Sequence, residues 1–196
     1  MLVHGIWDSA ARLAPLRLGL ALRGVERAHA IDLIPNDGRA TIAELGLIVA
    51  REAAALAERE SVARVDIVGF SMGALVSRWY IQRGGGQHKV RRFVSISGPH
   101  QGTATAYALS LPGIRDMRPR SDLLRDLAAD PRPLETVETH CVYTPFDLTV
   151  LPARSAILPE ARSVRSFPVL MHRFMISNDR VIDHVAALLL ADDAKG

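Results

Sequence analysis

Apolar positions in this chain cluster in two recurring patterns. Short apolar stretches of strand length occur at residues 1–3, 28–33, 65–68, 90–96, 139–143 and 163–169. Between most of them lie longer stretches with helical spacing, at 10–23, 41–59, 74–82 and 179–191. Thr41 followed by Glu44 forms a capping box and opens the second of these helices. Gly84-Gly85-Gly86 stops the third, and Ser177 is the expected cap of the last. Strands alternating with helices predict an α/β fold, a parallel sheet of about six strands with helices on both faces. Residues 104–135 break the rhythm. Two short helices are expected there, at 105–111 and 121–129, around the turn-rich stretch 112–119. This segment reads as a short cap on a single domain spanning 1–196, with no repeat or linker.

Composition narrows the class. The 196 residues are 48% hydrophobic and 23% charged, enough for a globular core. The net charge of +3 comes from basic residues spread along the chain, so no nucleic-acid surface is expected. A lone Cys141 excludes an internal disulfide and a cysteine-based metal site. No apolar run reaches membrane-spanning length, and a soluble, cytoplasmic protein is expected. Met1-Leu2-Val3 runs straight into what reads as a strand end, as it would if a longer N-terminus or a secretion leader preceded it.

Candidate chemistry centres on Gly69-Phe70-Ser71-Met72-Gly73. This G-x-S-x-G lies between a strand and a helix, the setting of a nucleophile elbow. Small residues on either side of the serine let strand and helix approach, and the helix N-terminus favours negative charge. A serine hydroxyl needs a base and an acid to orient that base, in chain order Ser, acid, His in such sheets. Asp147 follows the strand at 139–143 and His172 precedes the last helix, both downstream of Ser71. Among other histidines, His184 falls inside a helix, His140 begins a strand, His88 lies in a glycine-rich loop and His100 precedes every suitable acid. Asp179 and Asp183 suit a first helical turn, and Asp126 and Asp130 read as solvated helix positions. The oxyanion of a tetrahedral intermediate needs two backbone donors, expected at Ile6 and Met72.

Taken together these stretches resemble the α/β-hydrolase superfamily, and within it the small bacterial lipases and esterases. Val3-His4-Gly5-Ile6 is similar to the oxyanion loop of that group, and Gly69 to Gly73 to its elbow. Pro99-His100-Gln101-Gly102-Thr103 resembles its P-H-x-G-T loop. Asp147 with Leu148 to Pro152 resembles the D-x-x-V-x-P segment around its acid, and His172 its terminal histidine. The likeness covers nearly the whole chain. Departures are Phe70 where a histidine is frequent, Ala74 where a glycine is frequent, and Trp7 where a glycine is usual. The superfamily's first two strands are absent, and the cap is too short for a full interfacial lid. The resemblance implies a minimal α/β-hydrolase fold and a cofactor-free, metal-free serine hydrolase for short- to medium-chain acyl esters, with weak lipid-interface contact at most. Trp7, Phe70, Tyr107 and Ile114 are the expected substrate-binding residues, with Leu109 and Leu111 nearby, though such apolar positions also suit a plain core. The same triad would serve an acyltransferase or thioesterase, and the same fold a binding module without catalysis.

Overall fold

The structure, a computed structural model, describes residues 1–191, so the end of the expected 1–196 domain lies outside the described residues. Six strands form one parallel sheet: β1 (Leu2–Val3), β2 (Ala30–Ile31), β3 (Val65–Phe70), β4 (Val90–Ile96), β5 (Glu138–Tyr143) and β6 (Ser163–Ser166), in the order β2-β1-β3-β4-β5-β6. The chain turns one way from β1 to β2 and the other way from β3 onward. The switch point therefore falls between β1 and β3, where a crevice opens beyond the strand ends.

The strands alternate sides in the way their apolar residues do. Val3, Ile67, Phe93 and Cys141 face one layer, which contains α2 (Ile42–Arg59) and α3 (Met72–Arg83). Leu2, Val68, Phe70, Val94, Ile96 and Val142 face the other, built from α1 (Ala14–Ala21) and α7 (Asp179–Leu190). Each fully buried Leu, Ile or Val here contributes roughly 1.5–3 kcal/mol. The α3 helix is buried on nearly every side, which explains its near-continuous apolar run.

Local chemistry sets the element ends. Thr41 and Glu44 form the expected capping box on α2. The first helix is split. Pro15 sits in the first turn of α1, and residues Ala10–Leu13 wind as a separate 3-10 turn before it. The cap of α7 is Asn178, not Ser177: Asn178 Oδ1 accepts from Arg180 and Val181 N–H, while Ser177 Oγ donates to Phe174 O. The last strand is shorter than expected because Pro168 lacks an N–H for the ladder.

Between β4 and β5 the chain forms a 3-10 turn (Ala104–Tyr107), then α4 (Pro112–Asp116), α5 (Asp122–Ala129) and α6 (Arg132–Glu135). The helix expected over 105–111 is only that single turn. The stretch read as turn-rich contains α4, with Pro112 in its first turn. The crossover is bound to the body at several points. Gly113 N–H donates to Gly38 O (2.9 Å), Asp116 Oδ2 accepts the first N–H of α2 from Ile42 (2.9 Å), and Ala104 N–H donates to Leu151 O (2.9 Å). From α3, Gln82 Nε2 reaches Leu127 O and Asp130 O, and its Oε1 accepts from Arg78. Burial lowers the Arg78 guanidinium to about 10.

Candidate active site

The elbow forms where β3 meets α3. Ser71 adopts φ +54° and ψ −126°, a strained conformation for a residue with a side chain. Its N–H donates to Ile96 O and its C=O accepts from Ala74 N–H, so the turn is held on both sides. A Cβ on Gly69 would lie 2.5 Å from Ala74 Cα. One on Gly73 would lie 2.3 Å from His4 O and 2.5 Å from Val3 O. These neighbours are backbone atoms and cannot swing aside. Gly73→Ala is therefore expected to destabilise the protein by about 2–3 kcal/mol, read as a lower urea midpoint.

Asp147 and His172 come together across the ends of β5 and β6. His172 Nδ1 donates to Asp147 Oδ2 at 2.7 Å. Asp147 Oδ1 accepts the N–H groups of Thr149 (2.9 Å) and Val150 (2.8 Å). Burial pushes the Asp147 carboxyl up, but the imidazole and the two N–H groups pull harder and hold it below its ordinary value. The acid loop is itself fastened by Thr103 and Thr105, whose hydroxyls both donate to Thr149 O. The His172 ring lies 4.8 Å from that of Phe70, the residue before Ser71. His172 Nε2 is shielded from solvent and has no hydrogen-bond partner among the described residues, so it is not bonded to Ser71 Oγ here. Such bonds are commonly long until a substrate is bound.

The loop after β1 forms the third wall. His4 is fully buried: its Nδ1 donates to Gly5 O (2.8 Å) and its Nε2 accepts from Leu33 N–H (3.0 Å). These two bonds orient the ring and tie the loop to the segment after β2. Trp7 N–H donates to Asn36 O and Asp8 N–H to Gly5 O, leaving the Ile6 N–H without an acceptor among the described residues. Met72 is the first residue of α3, so its N–H has no intrahelical acceptor either. Trp7 has φ +59°, the left-handed region that favours glycine. This gives a physical reason for the glycine usual at that position in the resembling lipases. The sequence marks His4 only as part of the Val3-His4-Gly5-Ile6 motif and does not mark Asn36. A histidine next to the loop glycine and an Asn-Asp-Gly turn were the only signals.

A cavity of about 240 Å³ opens beside Ser71, lined by Ile6, Trp7, Leu109, Ile114, Leu148 and Val150 among others. Of the four expected substrate-binding residues, Trp7 and Ile114 border it. Phe70 and Tyr107 do not. Phe70 turns to the opposite face of the sheet and stacks on His172, while Tyr107 is 61% exposed beneath the Arg118 guanidinium. A larger cleft of about 570 Å³ along β2 touches none of these residues.

The alternative residues are occupied elsewhere. Asp179 and Asp183 pair with Arg23, Asp126 with Arg83 and Asp130 with Arg132, so the last two are ion-paired rather than merely solvated. His140 is buried within β5 between Ser163 and Glu138. His100 is fully buried, its Nε2 on Ser95 Oγ (2.7 Å), and burial with nearby Arg78 keeps its pKa well below 6.5. A native His100 that stays neutral while the unfolded chain takes up a proton near about 6.5 makes stability fall as pH drops below that value. His140 and His184 are depressed too, mainly by burial. Urea unfolding between pH 7 and 5 should show this loss. His100→Gln should flatten the slope by up to about 1.4 kcal/mol per pH unit.

Comparison with known proteins bears on the family and the fold. A family model described as palmitoyl protein thioesterase matches residues 2–158. No curated protein sequence matches the chain. Among solved structures, lipase B of Aspergillus fumigatus superposes with a TM-score of 0.82 at 18% identity, covering 97% of this chain and 52% of that one. The Bacillus licheniformis lipase BlEst2 superposes in its propeptide form with a TM-score of 0.79 at 16% identity, covering 98% of this chain and 50% of that one. In its mature form the values are 0.77 and 15%, with 97% and 91% covered. The chain thus spans about half the length of the first two. The shared fold is the α/β-hydrolase fold.

Proposed function

The chain belongs to the palmitoyl protein thioesterase family, and on that premise we propose that it is a serine hydrolase cleaving short- to medium-chain acyl esters and thioesters. The carrying observation is the 2.7 Å bond from His172 Nδ1 to Asp147 Oδ2, with a buried Nε2 left unpartnered among the described residues, on a ring that contacts Phe70, the residue before the strained Ser71. Ser71 Oγ attacks the acyl carbon, and His172 Nε2 takes its proton. Asp147 holds the ring with Nδ1 protonated and stabilises the imidazolium. The Ile6 and Met72 N–H groups receive the oxyanion. The intermediate collapses, His172 returns the proton to the leaving group, and water then clears the acyl-enzyme by the same steps. Nothing in this sequence of steps calls for a metal or cofactor. The 240 Å³ cavity, smaller than the roughly 300–1,000 Å³ of drug-sized sites, suits a short or medium acyl chain.

The family's name favours a thioester. A thiol with pKa near about 8.5 leaves more readily unprotonated than an alcohol, so the same residues do less work on it. The test is intact-mass analysis after a fluorophosphonate, with turnover of matched esters and thioesters of rising chain length. One adduct on Ser71, with turnover falling beyond medium chains, supports the reading. A folded protein with no adduct and no turnover overturns it in favour of a binding role. Thioesters turned over faster than matched esters would make the thioesterase activity primary.

A further inference from the structure

Asp8 stands beside the nucleophile, and none of the steps above uses it. A Cβ built on Gly5 would lie 3.1 Å from Ser71 Cβ, 3.6 Å from Phe70 Cδ1 and 3.5 Å from Asp8 Oδ2. Asp8 Oδ2 and Ser71 Cβ therefore both border the narrow slot that Gly5 leaves open. Its backbone is fixed there: Asp8 N–H donates to Gly5 O and Asp8 O accepts from Asn36 Nδ2. Oδ1 faces Arg12 Nε at 3.8 Å, in a pair whose Arg12 side chain is half exposed. Oδ2 has no hydrogen-bond partner among the described residues.

The slot also has a defined side. The apolar cavity borders Ser71 through Ile6, Trp7, Leu109, Ile114, Leu148 and Val150. Gly5, Asp8, Phe70 and His172 do not border it. Phe70 links these residues, touching His172 with its ring and the Gly5 slot with its edge. The acyl chain fills the cavity, so the leaving group departs on the side of His172, which gives it a proton. Asp8 does not border the cavity; it borders the slot beside Phe70, whose ring contacts His172.

We propose that Asp8 selects the leaving group: its Oδ2 favours an alcohol or thiol bearing a positive charge or a hydrogen-bond donor and disfavours an anionic one. The assignment rests on the serine-hydrolase reading above. A carboxylate within a few ångströms of a partly screened leaving group discriminates between opposite charges by about tenfold. Arg12, competing for the other oxygen, reduces that discrimination.

The experiment compares butyryl thioesters of a quaternary-ammonium ethanethiol, of 2-mercaptoethanol and of 3-mercaptopropanesulfonate. For the wild type, kcat/KM should be about tenfold higher for the cationic than for the sulfonate substrate, and this ratio should shrink as salt is added. Asp8→Asn should bring the ratio close to one. Arg12→Gln should raise it, a direction that loss of stability does not produce. A wild-type ratio near one, an unchanged ratio in Asp8→Asn, or a lower one in Arg12→Gln overturns the assignment. The neutral thioester and fluorophosphonate labelling of Ser71 run alongside. Wild-type turnover and labelling with a flat ratio remove Asp8 alone, whereas absence of both removes the hydrolase reading and this one with it.

Discussion

Ser71→Ala should lower kcat for ester and thioester substrates by about 10⁴–10⁶ and abolish fluorophosphonate labelling. The variant should fold as the wild type does. Ser71 Oγ makes no hydrogen bond among the described residues, and alanine meets the same backbone strain at φ +54°. Its stability should therefore stay within about 0.5 kcal/mol of wild type, measured by urea unfolding. That separation gives the test its force, because a loss of activity cannot be put down to unfolding. Wild-type turnover in Ser71→Ala would mean that the elbow is a structural turn and that hydrolysis, if present, occurs elsewhere.

Asp147→Asn should cost about 10⁴ in kcat through a change of tautomer. Asp147 Oδ2 now accepts a proton-bearing Nδ1, leaving Nε2 free to take a proton from Ser71. Oδ1 is already engaged by Thr149 and Val150 N–H, so an asparagine oxygen would settle there and its NH₂ would point at His172. The ring would then shift its proton to Nε2, which could no longer act as a base. Asp179→Asn is the matched control. Asp179 pairs with Arg23 on the surface between α1 and α7, and its loss should leave kcat unchanged. Rates of both variants on one chromogenic ester decide the matter. The opposite ranking would assign the acid to Asp179.

The parts of the site that were legible in the sequence are those where chain order and steric need coincide. Only small residues fit beside Ser71, so the elbow carries its own signature at Gly69 and Gly73. The fourth strand, Val90–Ile96, has the expected bounds because a glycine-rich turn and a Ser-Gly-Pro loop flank an unbroken apolar run. Tertiary choices were less legible. Phe70 and Tyr107 are both apolar and near the elbow or the cap, but sequence does not say which face a side chain takes. The sheet's alternation sends Phe70 to the His172 side, and Arg118 holds Tyr107 at the surface. Pro112 reads as a breaker, yet a proline in a first turn also starts helices, as it does in α4. The support of His4 for the loop after β1 depends on Leu33, a partner 29 positions away that no local pattern reveals.

The crossover beside the cavity is fastened to the body through Gly38, Ile42, Gln82, Thr149 and Leu151. A roof tied at so many backbone points cannot hinge open as one piece. Entry then depends on side chains at the mouth, such as the exposed Trp7 and Leu148, whose rotations take nanoseconds rather than the microseconds or longer of a moving segment. On the proposed serine-hydrolase reading, ester turnover is therefore expected to show no jump in rate as the substrate passes from dispersed to aggregated form.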